Sequence, residues 1–237
     1  MIQELAWDST LLEKKIGLLE ISSAKASSLN AAMKTAATKG FVYVTCKIPG
    51  QDIRLTRLLE SCGFYLSDIG ITWQKDLEQM TVENIGNHAV PDTIRIAGEH
   101  DIPKLRKMSR SLFTESRFYH DPFFSRNEAD RIYEEWVENS VRGNAADVVF
   151  YLPHGGFITC RKRGKHGGEI VLIGLRRSYR HKGYGTALVQ KAQQWFTNNH
   201  IRKITVRTQV KNIKAMNFYV KSGFIMLNMD LVYGIIL

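Results

Sequence analysis

Nowhere among the 237 residues do 18 apolar residues follow one another, so no membrane-crossing helix is expected. Cysteine is scarce. Cys46, Cys62 and Cys160 are scattered, odd in number and free of any C-x-x-C or Cys/His pairing. That argues against a disulfide frame and a metal site, and reads as reduced thiols in a cytoplasmic protein. The first twenty residues lack the pattern of a secretory signal, because Glu4, Asp8 and Glu13 interrupt them. Acidic residues are outnumbered 23 to 33, which leaves a formal net charge of +10. Such a surplus suits nucleic acid or anionic lipid, yet the basic residues are spread out and no aromatic-interleaved strand motif accompanies them. Small polyanions explain the same sign, and nucleic acid is not expected as a partner.

What is present is an ordinary globular composition, 44% hydrophobic and 24% charged, long enough for one large or two small domains. Residues 18–21 form a short apolar run, and residues 29–38 are Ala-rich and favour helix. Gly40 ends that helix, and residues 41–45 are β-branched and aromatic. Residues 53–62 are amphipathic, with Ile53, Leu55, Leu58 and Leu59 available for a core face. Residues 76–93 are polar, contain Pro91 and read as a linker. They separate a mixed α/β segment, 1–75, from a second domain, 94–237.

In the second domain, residues 94–96 suit a short strand. Asp101 is placed to cap a helix with Pro103 in its first turn and Leu105, Met108 and Leu112 as its stripe. Ser125 and Glu128 form a capping-box pattern before Ile132 and Trp136. Residues 148–152, 157–161 and 169–175 read as antiparallel strands. A helix packing Leu188, Ala192 and Trp195 follows, and then Ile204, Val206 and Thr208 alternate as a strand. There is also a weak repeat. Ser61-Cys62-Gly63-Phe64 precedes Ile69, Ile71 and Trp73, and Ser222-Gly223-Phe224 precedes Met229, Leu231 and Tyr233. The N-terminal segment therefore reads as a reduced copy of the C-terminal half.

The densest signal is Arg180-His181-Lys182-Gly183-Tyr184-Gly185-Thr186, between a strand and a helix. A tight glycine turn at a helix start converges free N–H groups on one point, and the helix dipole adds attraction for an anion. Gly183 and Gly185 let the main chain approach a phosphate, and Arg176, Arg177, Arg180 and Lys182 surround it with positive charge. Together with the next strand, Asn212-Ile213-Lys214-Ala215-Met216-Asn217-Phe218-Tyr219 and Lys221-Ser222-Gly223-Phe224, this order resembles the GCN5-related N-acetyltransferase (GNAT) superfamily. One departure is Arg177, where the family often has proline.

The resemblance implies an α/β fold on a mixed, mostly antiparallel sheet flanked by helices, and acetyl-CoA as acyl donor. It implies that Arg180, His181, Lys182, Gly183, Tyr184, Gly185 and Thr186 hold the pyrophosphate and that Asn212 meets the CoA arm. The pantetheine would lie along Ile173, Gly174 and Leu175, where a backbone N–H could polarise the thioester carbonyl. Tyr219 matches the family's tyrosine; its phenol, protonated at neutral pH, can deliver a proton to the leaving thiolate. A packed core tyrosine and, for Asn212, a helix cap are the structural alternatives. No general base is legible: Glu169 and a water chain both remain open.

For the acceptor, Glu115-Ser116-Arg117-Phe118-Tyr119, residues 136–143, Leu5-Ala6-Trp7-Asp8-Ser9 and Thr208-Gln209 resemble a branch of the family. That branch acetylates the 4-amino group of a dTDP-linked 4-amino-4,6-dideoxyhexose for surface polysaccharide. The implied partner is a nucleotide-linked amino sugar. Arg117 could make a bidentate contact with its diphosphate or hydroxyls, and Tyr119 and Trp7 could stack on base or sugar. The alternatives are another amine (an aminoglycoside, polyamine or protein terminus) and a non-catalytic CoA-sensing or nucleic-acid-binding module. The sequence leaves a homodimer open.

Overall fold

A computed structural model describes residues 2–22, 25–78, 93–110 and 112–237. Ten strands form one sheet. The first part of the chain supplies β1 (Ile2–Glu4), α1 (Ala6–Leu12), β2 (Ile16–Leu19), α2 (Ala26–Thr38), β3 (Tyr43–Pro49), α3 (Ile53–Ser61) and β4 (Tyr65–Asp76). Then come β5 (Arg95–Ile96), α4 (Ile102–Ser109), α5 (Arg126–Val141), β6 (Val148–Leu152), β7 (Gly156–Arg163) and β8 (Gly167–Leu175). The chain ends with α6 (Tyr184–Asn198), β9 (Lys203–Gln209), α7 (Ile213–Lys221) and β10 (Ile225–Ile236).

The repeat is stricter in space than in sequence. β3, α3 and β4 recur 160 residues later as β9, α7 and β10, with the same bounds at every element. Asp52 and Asn212 cap α3 and α7 by accepting the N–H of Leu55 and Ala215, each at 3.1 Å. Gly63 and Gly223 follow these helices at φ +86° and +79°, the left-handed turn that glycine tolerates. Phe64 and Phe224 then plug the core, each 3% exposed.

The strand order is β1-β2-β3-β10-β4-β9-β8-β7-β6-β5. β10 therefore lies between β3 and β4, and β4 lies between β10 and β9. Each copy has given its last strand to the other, so residues 1–75 and 94–237 share one sheet. The expected linker begins too early: Asp76 pairs with Lys203 at the end of β4, and Leu77 is buried. The remainder of that stretch, 79–92, lies outside the described residues.

Alternation sends the two faces of the sheet to different helices. Ile71, Trp73, Ile204 and Val206 pack under α6 and α7, and Val44, Cys46 and Ile48 pack under α2 and α3. Tyr43, Val149, Phe157 and Leu172 face α1, α4 and α5. Ser125 and Glu128 close the expected capping box on α5. Asp101 stands at the start of α4 but its carboxylate accepts from Gly98 N–H and Tyr151 O–H instead of capping. Two core expectations change as well. Ile53 is 63% exposed, and Phe196, fully buried, takes the place expected of its half-buried neighbour Trp195. A residue at a helix start has no preceding turn to bury it, and Phe196 points at the sheet where Trp195 lies to its side.

Candidate active site

β8 and β9 run parallel, paired from Gly167↔Lys203 to Ile170↔Val206, and no further. β8 continues to Leu175 and β9 to Gln209, so the two strands diverge toward their carboxyl ends. An opening at the carboxyl end of parallel strands is where open α/β sheets take their ligands. Which backbone groups face it follows from alternation. Leu172 N–H bonds Thr159 Oγ1 and Arg176 N–H bonds the Gly155 carbonyl, so both point toward β7. Ile173 and Leu175 therefore turn their N–H groups into the gap. Gly174 does not: a Cβ there would meet Leu112 and Phe113 at 3.2 Å, so its glycine makes room for those side chains.

At the mouth of the gap the chain turns into α6. His181 (φ 61°) and Gly183 (φ 80°) are both left-handed, and such alternation around a turn folds N–H groups inward into an anion-binding concavity. The first main-chain bond of α6 runs from Ala187 N–H to the Gly183 carbonyl, so the N–H groups of Tyr184, Gly185 and Thr186 have no partner in the helix. A Cβ on Gly183 would meet nothing within 4 Å; only its φ demands glycine. One on Gly185 would meet Phe218 at 3.4 Å, an ordinary contact. The space over the loop is thus open for a polyanion. Lys182 and Arg180 are exposed beside it, and Arg180 Nε donates to the Leu175 carbonyl at 3.0 Å, which holds the loop to the end of β8.

α7 starts on the other side of the gap. Asn212 serves as its cap, which uses Oδ1 and leaves the amide NH2 over. Tyr219 is 3% exposed, its ring packed among Trp73, Phe218 and Phe224 at centroid distances of 5.5 to 6.4 Å. Burial raises its phenol well above the usual range, so it is held protonated. Trp73 Nε1, in the same cluster, is buried without a partner. Glu169 is removed from contention as the base. It is ion-paired to Arg163 at 2.6 Å and sits where β8 and β9 are still paired, about 13 Å along the strand from Ile173.

The opposite face of β4, β9 and β10, toward α4 and α5, is polar and incompletely covered. Arg207 lies flat over Gly70, where a Cβ would collide with its guanidinium. Asp230 Oδ2 lies 3.7 Å from Arg207 Nε and 2.9 Å from Lys47 Nζ. Arg117 sits in a short turn, Arg117–Tyr119, over the rings of Phe118 and Phe124, with Nη1 buried and unpartnered. It faces Asp8, whose carboxyl burial raises and the Arg117 charge lowers, with a net upward shift. Trp7, next to Asp8 on α1, is 41% exposed. Tyr119 stacks parallel to Tyr133 and donates its hydroxyl to Asp130 at 2.6 Å. The structure thus brings Arg117 within electrostatic reach of Asp8, the neighbour of Trp7.

Sequence reading missed Asp68, Arg207 and Asp121. A charged residue inside an otherwise apolar-patterned strand was the available signal for the first two.

Residues 110–224 match the acetyltransferase (GNAT) family model. The chain carries a GNAT acetyltransferase domain, the sheet is a GNAT fold and the protein is an N-acetyltransferase. It is 26% identical to dTDP-fucosamine acetyltransferase of Escherichia coli O6:H1, over 94% of this chain and 92% of the relative. It is 24% identical to the spore coat polysaccharide biosynthesis protein SpsD of Bacillus subtilis, over 94% and 78%. Among solved structures, a tandem GNAT protein from the clavulanic acid biosynthesis pathway superposes with a TM-score of 0.60 at 12% identity, over 93% of this chain and 75% of the other. Among the described residues, no helix is long and apolar enough to cross a membrane.

Proposed function

We propose that this N-acetyltransferase moves the acetyl group of acetyl-CoA to the amino group of a nucleotide-activated amino sugar, of the dTDP-4-amino-4,6-dideoxyhexose type, for surface polysaccharide. The observation that supports it most is the reach of the similarity. The match to a dTDP-fucosamine acetyltransferase covers 94% of the chain, and so reaches most of residues 1–75, which the acetyltransferase model does not cover. In this reading residues 1–75 lie on the acceptor side, and residues 94–237 are the acetyl-CoA-binding catalytic domain, from which Arg117 and Tyr119 also reach the acceptor.

The N–H groups of Tyr184, Gly185 and Thr186 would take the pyrophosphate, with Arg180, His181, Lys182 and Gly183 completing the loop. The pantetheine would run along β8 as an added strand, bonded by Ile173 and Leu175, with Asn212 on its other side. One of those N–H groups would stabilise charge developing on the thioester oxygen. Tyr219 supplies a proton to the leaving sulfur. Arg117, with Trp7 and Tyr119 near it, would hold the nucleotide sugar.

If the amine sits on a nucleotide sugar, much of the acceptor's binding energy comes from a nucleotide remote from the nitrogen. In steady-state assays dTDP should compete with the acceptor and not with acetyl-CoA, and the free amino sugar should be a poor substrate. Equal kcat/KM for free and nucleotide-linked sugar would overturn the nucleotide reading and leave a small-amine acetyltransferase.

A further inference from the structure

Two buried carboxylates stand near one another on β4 and its surroundings, and they are opposites. Asp121 accepts from Tyr43 and Tyr65 hydroxyls at 2.7 Å, from the Ser67 hydroxyl and from Phe123 N–H at 3.0 Å. Asp68, next to Ser67, is 4% exposed and neither of its oxygens has a hydrogen-bond partner. Buried polar groups in folded proteins are paired, and a buried charge most of all, so an orphan carboxylate needs an explanation.

Its neighbours supply one. A β-bulge falls between Val232↔Asp68 and Tyr233↔Leu66, the kind of irregularity that re-aims a side chain. It lets Asp68 share the α4/α5 face with Tyr65 and Ser67, which alternation alone forbids. Asp68 lies two residues from Gly70, which pairs with Gln209 at the open end of β9. The Arg207 guanidinium covers Gly70, and its Nε and Nη2 also lack hydrogen-bond partners, as does Arg117 Nη1. The groups whose charge Asp68 feels are Arg207, Arg117 and Lys211, and it in turn acts on Tyr133 of α5. Tyr133 stacks on Phe113 at 4.5 Å, and Phe113 packs on Gly174 of β8. Asp68 therefore lies on the α4/α5 face, whose Phe113 reaches Gly174 of β8, with unpartnered nitrogens of Arg207 and Arg117 around it and at most its neighbour Ile69 N–H turned toward it.

We propose that Asp68 receives the acceptor amine: its carboxylate binds the ammonium beside the gap and takes the proton that nitrogen must lose before it attacks. This rests on the acetyl-transfer reading of the site and not on which amine is used. One N–H proton passes to Asp68 and frees the nitrogen lone pair. That pair forms the C–N bond at the thioester carbonyl carbon. The C–S bond breaks with its electrons on sulfur, which is protonated to the thiol. A second nitrogen proton replaces the one given to sulfur, and Asp68 returns its own to water. Burial raises the Asp68 carboxyl above its ordinary range, against the lowering by Arg207, the Ile69 backbone N–H, Arg117 and Lys211, which makes its anion a better base.

Asp68→Asn keeps size and removes charge, and two measurements decide the matter. The first needs no acceptor. The folded-state pKa of Asp68 is raised, so the fold penalises ionised Asp68 once pH exceeds its ordinary value. Thermal unfolding of the variant should therefore occur at higher temperature than wild type at pH 8, with the gap closing at pH 4. A lower melting temperature at both pH values would show a structural carboxylate and overturn the proposal. The second is turnover of acetyl-CoA with a dTDP-linked amino sugar, the free amino sugar and spermidine. On whichever amine wild type uses, the variant should lose about 100-fold or more in kcat/KM. The acid limb of its pH profile should vanish, and acetyl-CoA Kd should not move. Asp68→Glu should restore part of the rate. Loss on spermidine alone would keep the role of Asp68 while ending the nucleotide-sugar reading. Full Asp68→Asn activity on the nucleotide sugar would end the role of Asp68 and leave that reading standing.

Discussion

The two copies of the repeat follow one path, and only one of them opens. In the first, all four residues of β2 pair with β3, from Ile16↔Tyr43 to Leu19↔Cys46. In the second, β8 has nine residues, of which four pair with β9 before the strands part. The position that holds Tyr219 in the second copy is Leu59 in the first, fully buried. Before α6 stand a left-handed Gly183 and a loop of cations, whereas α2 starts at Lys25 in an extended conformation with no side-chain cap. A shared scaffold does not make a site. The gap, the cationic glycine loop and a phenol at one helix position set the second copy apart from the first. The first copy still meets the second there, because the exchanged strand β4 pairs Gly70 with Gln209 of β9, two residues from Asp68.

The sharpest way to break this contrast is at the repeated position. Tyr219→Phe should lower kcat by roughly 10²–10⁴, the usual worth of a positioned acid, with acetyl-CoA affinity unchanged by calorimetry. Full activity would assign Tyr219 to the core alone. Leu59→Tyr, its counterpart, should cost about 1–3 kcal/mol of stability through overpacking and add no activity.

Next in size is a change at the carboxylate that ties the first copy to the second segment. Asp121→Ala strips the acceptor from Tyr43, Tyr65 and Ser67 and should cost on the order of 3 kcal/mol in denaturant unfolding. Burial alone would raise the Asp121 carboxyl, but hydrogen bonds from Ser67, Tyr43, Phe123 N–H and Tyr65 outweigh it and lower it. The stabilisation is therefore present above the ordinary carboxylate range and is lost as pH falls through the folded value. The stability gap between wild type and variant should shrink on acidification; a gap that widens would refute the assignment.

A smaller effect is expected in the loop. Gly183→Val places a β-branched residue at φ 80° and fills the space over the anion site. Acetyl-CoA Kd should rise about tenfold or more, each factor of ten being 1.4 kcal/mol. Arg177→Ala removes one exposed charge and should change Kd less; equal effects would remove the loop from the donor site. Arg117→Ala is the mildest. It should raise acceptor KM a few-fold, about 1 kcal/mol, and spare acetyl-CoA KM, with Arg117→Lys a partial rescue because a point charge cannot make a fork of bonds. A shift in acetyl-CoA KM instead would move Arg117 out of the acceptor side.

Much of the site was legible because its signals are local. The Gly-x-Gly turn, the helix after it, the Asn212 cap and the Gly223-Phe224 turn each act within a few residues, so their meaning survives without a fold. What requires glycine at 174 was not legible, because its missing Cβ faces Leu112 and Phe113, more than sixty positions earlier in the chain. Glu169 looked available because the strand pairing that encloses it, and Arg163 across the hairpin, are not readable from a lone carboxylate. Ser67 and Asp68 were invisible as a pair, since a bulge changes which face a strand residue takes and leaves no mark in composition.

The glycine turn before α6, most elements and the two related halves are readable along the chain alone, since turn chemistry, caps and periodicity act over a few residues. Which strand lies beside which is not readable that way. β4 and β10 carry the same alternation and follow the same helix and turn, so local pattern gives either strand equal claim to either neighbour. Only the packing of the whole sheet selects the exchanged order β3-β10-β4-β9. That order pairs Gly70 of one half with Gln209 of the other, past the early end of β8–β9 pairing.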